Sequence, residues 1–285
     1  MNKEFDIDLL YAYIMTDDKG FAPNPFSGIC TLACCKPAIR RSVADYALAI
    51  HKKRFKRQQG KSVNANWNYE DWGYCNIGHI EKNAGEGGIE QYIKSMNIWI
   101  VGLAGEYLAK KNGLTPKSII YVMHLSNIVT FSDYWNNYDK KPVTAKDVFS
   151  RIKTSEELSS FAFNNTNEEY CGDNIYEFQP QEGIVKQLPS FHQIGGELNR
   201  FDFVHDLSGE YVLISNEYIY FGKNAALYSN HKELQKEFFT IRRGHKRIEN
   251  RDDFFEDFKS FLADNMRSLT GKHIVGAPIQ SSIKV

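Results

Sequence analysis

Short runs of branched and aromatic residues, strung along the chain without regular helical alternation, most constrain how it folds. IDLLYAYIM (7–15), the stretch 28–35, IWIVGLAG (98–105) and SIIYVMHLSNIV (118–129) each read as a strand bounded by turn or polar residues. EYVLISNEYIYFG (210–222) reads as a hairpin, two short strands around Ser215-Asn216-Glu217. Helical patterns lie between and after these runs. One runs from a Ser42 cap to about Gln59 with Gly60 as its stop, another covers 88–96, a short one follows a Ser132 cap, and another spans 144–158. Residues 156–182 are acidic and read as a loop. NHKELQKEFF and NRDDFFEDFKSFLADNM are helical near the end, the latter capped by Asn250 with Phe254, Phe258, Phe261 and Leu262 as its apolar stripe. A doubly wound sheet would alternate strand and helix regularly. This order argues instead for α+β: a curved, mainly antiparallel sheet with inserted and C-terminal helices.

With 285 residues and hydrophobic, aromatic and charged shares of 42%, 14% and 25%, the chain has the composition of an ordinary globular protein. We read residues 1–285 as a single domain, with helices at 230–270 packed on its core. Formal net charge is zero, so any argument about partners rests on local clusters. No apolar run approaches membrane-spanning length, no signal-peptide pattern opens the chain, and five cysteines without framework spacing fit a reducing compartment. A cytoplasmic protein with no membrane contact is the expectation. Cys30, Cys34 and Cys35 lack metal-ligand spacing, and no glycine-rich phosphate loop follows a strand, so neither a metal nor a nucleotide cofactor is expected.

GFAPNPFSGICTLACCKPAIRRS (20–42) carries the chemistry. Phe21 and Phe26 offer rigid apolar faces, Pro23 and Pro25 stiffen the loop between them, and Asn24 carries the donors and acceptor that a nucleobase edge needs. Lys36, Arg40 and Arg41 follow as phosphate ligands. A base stacked on aromatics while cations hold its backbone is how unpaired or flipped bases are bound. Further along, Lys52, Lys53, Arg54 and Arg57 form a basic helix, and Arg242, Arg243, Lys246, Arg247 and Arg251 form a second basic cluster. Two such clusters in a chain of zero net charge point to a polyanion.

TDDKGFAPNPF (16–26) followed by TLACCKPAIRRS (31–42) resembles the nucleotide modification-associated domain 2 family. WIVGLAG (99–105), IIYVMHLSNIVTFSDYW (119–135), CGDNIYEF (171–178) and VLISNEYIYFG (212–222) match the same pattern in order. Where the family commonly has a G-D-W-x-x-G turn, this chain reads Asn97-Ile98-Trp99-Ile100-Val101-Gly102. It is also longer than the family pattern between Arg41 and that turn, which makes 44–95 an insertion carrying the basic helix. The Trp99 strand and the V-x-F-x-x-Y-W stretch (129–135) are similar to PUA-like domains, which implies a small barrel as the alternative architecture.

The resemblance implies a protein of phage–host conflict acting on DNA with modified bases, and some relatives look like DNA glycosylases. The expected partner is therefore DNA, phage DNA with modified bases in particular. The implied reaction flips out a hypermodified base, such as glucosylated hydroxymethylcytosine, and hydrolyses its N-glycosidic bond to leave an abasic site. A non-catalytic reader of modified bases and a base-modifying transferase are the rivals. Base removal passes through an oxocarbenium-like state and calls for a carboxylate, with no cofactor required. Asp173 and Asp18 are the carboxylates inside the matched motifs. Asn24 can position water, and Asn174 and Tyr176 put an amide and a stacking face beside Asp173.

Overall fold

The computed structural model describes residues 7–26, 28–48, 88–137, 176–179, 184–187, 200–266 and 274–279. Two main sheets, a separate two-stranded one and their flanking helices make an α+β fold. The larger sheet has five strands in the order β10-β1-β3-β4-β9: β1 is Leu9–Met15, β3 Ile98–Ala104, β4 Ile119–His124, β9 Glu217–Tyr220 and β10 His245–Glu249. All pairs are antiparallel except β1 with β3, which run parallel with Met15 beside Ala104. The smaller sheet is antiparallel, β2 (Cys30–Leu32), β8 (Tyr211–Ser215) and β5 (Asn127–Thr130) in the order β2-β8-β5. No barrel closes among the described residues, so the PUA-like alternative does not hold.

Residues of β1 alternate between two cores, as the period of a strand dictates. Leu9, Tyr11, Tyr13 and Met15 share one core with β2 and with α1 (Pro37–Ala47), while Leu10 and Ala12 share another with Trp99, Val101 and the C-terminal helices. Those helices are α6 (Lys232–Phe239) and α7 (Asp252–Met266). The large sheet is thus covered on both faces, which explains why its central strands read as continuous apolar runs. A third core lies around α4 (Phe131–Asn137), α5 (Arg200–Leu207) and the hairpin of β6 (Tyr176–Gln179) with β7 (Ile184–Gln187). Two short helices complete the set: α2 (Gly88–Lys94) before β3 and α3 (Glu106–Lys111) after it.

Several expected boundaries shift for local reasons. The Ser42 cap is not used: α1 begins at Pro37, whose fixed φ and missing N–H suit the first helical position, and Ser42 lies inside the helix. Thr130, not Ser132, caps α4, its Oγ1 accepting the Asp133 N–H at 3.0 Å and donating to the Asp133 carboxylate at 2.6 Å. Residues 210–222 do not form a hairpin. β8 pairs in the small sheet and β9 in the large one, so Asn216 marks a crossing between sheets. The chain changes sheets in the same way after His124, between β4 and β5. Tyr176–Gln179, expected in an acidic loop, is a strand. The helix expected over 144–158 lies outside the described residues.

Candidate functional site

At the end of β1 the chain turns through Asp17-Asp18-Lys19-Gly20, with Gly20 at φ 80. The turn carries Asp18 inward, where the residue is 2% exposed. The Tyr220 hydroxyl lies 2.7 and 2.8 Å from the two Asp18 oxygens, and the Ile279 N–H donates at 3.0 Å. Burial pushes the Asp18 pKa up; Tyr220 and the Ile279 and Gly20 amides oppose the shift. Ile279 belongs to a segment, 274–279, that runs beside β9: Val275 N–H donates to Tyr220 O at 2.8 Å, and Lys223 N–H to Ala277 O at 2.8 Å.

Beside this carboxylate, the Tyr13 and Tyr121 hydroxyls share a hydrogen bond of 2.8 Å. Both phenols are buried, and their pKa values rise through desolvation, with Asp18 and Cys30 near enough to add to the rise. Gly102 makes room for this pair, since a Cβ there would lie 2.3 Å from the Tyr121 ring. Phe26 meets the Tyr220 ring edge-on at 6.0 Å. Lys36 stands at the margin, its ammonium 3.2 Å from Asp17 and 6.0 Å from the centre of the Tyr13 ring. Asp18, Tyr220, Tyr13, Tyr121, Phe26 and Lys36 together form a carboxylate, a set of phenols and a cation under the N-terminal loop.

The loop is itself pinned. Asn24 and Thr31 exchange backbone hydrogen bonds of 2.8 and 2.9 Å, and the Asn24 Oδ1 accepts the Phe26 N–H at 3.1 Å. The Tyr218 hydroxyl donates to Pro25 O at 2.7 Å. Asn24 is fully buried, so the structure gives it the role of a loop organiser rather than of a base-reading edge.

Arg40 departs furthest from the sequence expectation. It is 0% exposed, and its guanidinium donates to three carbonyls: Cys35 O at 2.8 Å, Tyr211 O at 2.7 Å and Asp206 O. Phe131 packs 5.2 Å from the guanidinium carbon, and a Cβ on Gly209 would come within 2.5 Å of it. An arginine held this way is a structural clamp and not a phosphate ligand. Its partner, Asp206, was not a sequence candidate. Asp206 Oδ1 accepts the Cys35 N–H at 2.6 Å and Oδ2 accepts the Tyr176 hydroxyl at 2.8 Å. Burial and the nearby Cys35 raise its pKa to about 6, with Arg40 pulling the other way. The Cys35 peptide is therefore held at both ends, by Asp206 at the N–H and Arg40 at the carbonyl. This grip maintains two consecutive left-handed residues, Cys35 (φ 56) and Lys36 (φ 47), and so aims Lys36.

Of the residues singled out in the sequence, Asp18, Phe26 and Lys36 come together. Tyr176 and Arg40 meet at Asp206 instead, and Tyr176 is buried in the third core rather than offered as a stacking face. Phe21 packs against that same core, with the Cys34 thiol 3.7 Å from its carbonyl. Arg41 is half-buried on α1. Asp173, Asn174, Lys52, Lys53, Arg54 and Arg57 lie outside the described residues. In the second basic cluster, Lys246 and Arg251 bind Glu237, and Arg247 binds Glu249, so these three cations belong to ion pairs. His124, for which the sequence shows no partner, stacks on Trp99 at 4.8 Å and reaches Glu217 at 3.2 Å. Asp206 had one legible signal: a single acid on the apolar side of a helix, between Phe203 and Leu207.

The model of a protein family described as nucleotide modification associated domain 2 matches residues 7–65 and 92–284. The stretch it leaves out, 66–91, is shorter than the expected 44–95 insertion, and Lys52, Lys53, Arg54 and Arg57 lie within the matched residues. No curated protein and no solved structure matches the chain. The chain belongs to the nucleotide modification associated domain 2 family.

Proposed function

For a member of this family, whose role lies in nucleotide modification, we propose a DNA glycosylase that extrudes a hypermodified base and hydrolyses its N-glycosidic bond. The observation that carries this reading is the buried Asp18 carboxylate, inside the family's N-terminal motif and held by the Tyr220 hydroxyl and the Ile279 amide. Departure of the base builds positive charge on the sugar, and an oriented carboxylate stabilises that charge far more in the transition state than in the ground state. Tyr220 and the amides favour the ionised form against the burial that opposes it. Lys36, aimed by the Cys35 turn, supplies the cation for a phosphate or for the leaving base. Because Asp18 is enclosed, the nucleotide must displace part of the 17–26 loop or of the 274–279 segment to reach it. Asp173 remains the second candidate carboxylate.

A reader of modified bases is the second reading, favoured by one observation: the Asp18 oxygens already accept hydrogen bonds from the protein. The two are separated by incubating the protein with modified phage DNA and with unmodified DNA, then analysing released bases by mass spectrometry. The glycosylase reading expects a free modified base from the first DNA only. It further expects Asp18→Asn to lower release about a hundredfold or more while binding of modified DNA changes by a few-fold at most. Retention of modified DNA without any released base would establish the reader. Normal release from Asp18→Asn would move catalysis away from Asp18, with Asp173→Asn as the variant to examine next.

A further inference from the structure

Parallel pairing of β1 with β3 brings their C-terminal ends to one margin of the large sheet, and four other pieces of chain converge there. Gly105 N–H donates to Met15 O at 2.9 Å, which sets the start of α3 beside the Asp17–Asp18 turn. Lys117 N–H donates to Ala104 O at 2.7 Å, and Ile14 N–H to Gly244 O at 3.4 Å, which brings in the approaches to β4 and β10. Ala226 bridges Ile119, and the Tyr228 hydroxyl donates to Lys117 O at 3.0 Å. The margin therefore gathers α3, Lys117, Leu227, the end of α6 and Arg242–Arg243 at the C-terminal ends of β1 and β3, from which the Asp17–Asp18 turn leaves.

Two things about its surface are unusual together. Tyr107, Phe239 and Leu227 are 72%, 64% and 62% exposed; Phe239 meets the Lys117 ammonium, Leu227 follows Ala226 beside β4, and Tyr107 follows Glu106 on α3. Lysines stand beside the two aromatic rings: Lys111 lies 6.0 Å from the centre of Tyr107, and Lys117 lies 5.3 Å from that of Phe239. Lys110, Arg242 and Arg243 are exposed in the same region; burial lowers the Lys117 pKa, Glu106 opposes the shift and Arg242 adds to it. Glu106 and Asp17 are the acids beside them; Asp17 is held by Lys36. Cations gathered against mutual repulsion, with exposed aromatic faces between them, match a strand of nucleic acid: phosphates for the cations, an unpaired base for the rings. An apolar protein partner would match the rings but not the charge.

We propose that this margin, with Tyr107 and Phe239 as stacking faces and Lys110, Lys111, Arg242 and Arg243 as phosphate contacts, is where a DNA strand with unpaired bases lies as it enters the Asp18 site. The assignment rests on the reading of DNA as the partner. It differs from the sequence expectation in its location, because the aromatic stacking is placed on α3 and α6, not on the N-terminal loop.

The test uses the full chain and fluorescently labelled, unmodified oligonucleotides, single-stranded and duplex, with binding followed by anisotropy from low to high salt. The wild type is expected to prefer the single strand. Lys110→Ala with Lys111→Ala, and separately Arg242→Ala with Arg243→Ala, should each lower the slope of log K against log salt by roughly 1.5, since each lost phosphate contact removes about 0.7 on a single strand. Tyr107→Ala should weaken single-strand binding about tenfold while Tyr107→Trp retains it. The surface is overturned if both charge pairs leave the slope unchanged in proteins of wild-type circular dichroism. It is also overturned if the wild type prefers an acidic peptide to the oligonucleotide, or if Tyr107→Ala abolishes self-association in sedimentation without affecting DNA. Because the oligonucleotides are unmodified, loss of this surface reads separately from loss of base release.

Discussion

Arg40 shows how far one side chain can depart from its sequence context. In an R-R pair after a lysine it reads as a phosphate ligand, yet it is buried while Arg41, its neighbour, stays half-exposed. Nothing local distinguishes the two. The difference lies in Asp206 and Tyr211, far along the chain, whose carbonyls meet the guanidinium. Removing the side chain would take a donor from three carbonyls, of which that of Asp206 keeps the Gly209 N–H at 3.1 Å, and would leave the Asp206 carboxylate without the Arg40 charge. Arg40→Ala is therefore expected to destabilise the fold by about 3–5 kcal/mol in urea unfolding, against under 1 kcal/mol for Arg41→Ala. Asp206 carries a second expectation. Its pKa is about 6 in the fold against 3.8 ordinarily, so the folded state binds the proton more tightly than the unfolded chain does. The stability this contributes is complete below the ordinary value and is lost as pH rises through about 6, amounting to about 3 kcal/mol. Asp18 acts in the same direction, whereas Glu237, whose pKa is lowered despite burial by Lys246 and Arg251, acts in the opposite one. The quantity to measure is accordingly the difference between wild type and Asp206→Asn from pH 4 to 7. It should change steadily in the variant's favour as pH rises, and a pH-independent difference would show that Asp206 does not titrate in this range.

Among the elements, those with a strong period were legible and those set by partners were not. β1, β3, β4 and the aromatic stripe of α7 follow from apolar patterning, because each has its buried faces written into residues a fixed distance apart. Which sheet β8 and β9 join is not written that way. Two short strands flanking Asn216 look like a hairpin locally, and only β2, β5 and β4 as neighbours separate them. The site follows the same rule. Asp18, Phe26 and Lys36 were legible because they sit in one continuous motif, whereas Tyr13, Tyr121 and Tyr220 come from three strands and resemble ordinary core residues in sequence. Asp206 and Cys35 join α5 to the start of α1 across 171 positions, a pairing no local pattern displays. Gly209, in the turn between α5 and β8, tests this junction at the level of elements. Its Cβ would sit 2.5 Å from the Arg40 guanidinium carbon, so Gly209→Ala should cost about 1–3 kcal/mol by overpacking and slacken the clamp. Gly113, where an added Cβ meets nothing within 4 Å, provides a comparison limited to the strain of φ 70, expected at about 1 kcal/mol. Equal losses at the two positions would show that the close approach to Arg40 has no energetic consequence.

For the whole molecule, the large sheet is the frame against which both the enclosed carboxylate and the cationic margin are placed. β1 carries Tyr13 and delivers Asp18, β4 carries Tyr121, and β9 carries Tyr220, so the site's spacing is the spacing of strands in one sheet. The segment 274–279 closes this arrangement from outside, because it bridges β9 at Tyr220 and sends the Ile279 amide to Asp18. Ile279 is itself buried in the core that contains Tyr220 and Met15. A chain ending at residue 273 should therefore keep the sheet but lose the closure. The Lys223 amide, which donates to Ala277 O, should then exchange with solvent much faster, while amides in β1 and β3 keep their protection. Asp18 would lose one donor and gain solvent at once: the lost amide favours the protonated form and the solvent favours the ionised one. Hydrogen exchange separates the structural claim from that balance, since it reads the closure without requiring activity. Unchanged protection at Lys223 would show that 274–279 does not hold β9, and the Asp18 site would then have to be regarded as open on that side. Rapid exchange throughout β1 and β3 would assign the segment to the stability of the whole sheet, not to the covering of one carboxylate.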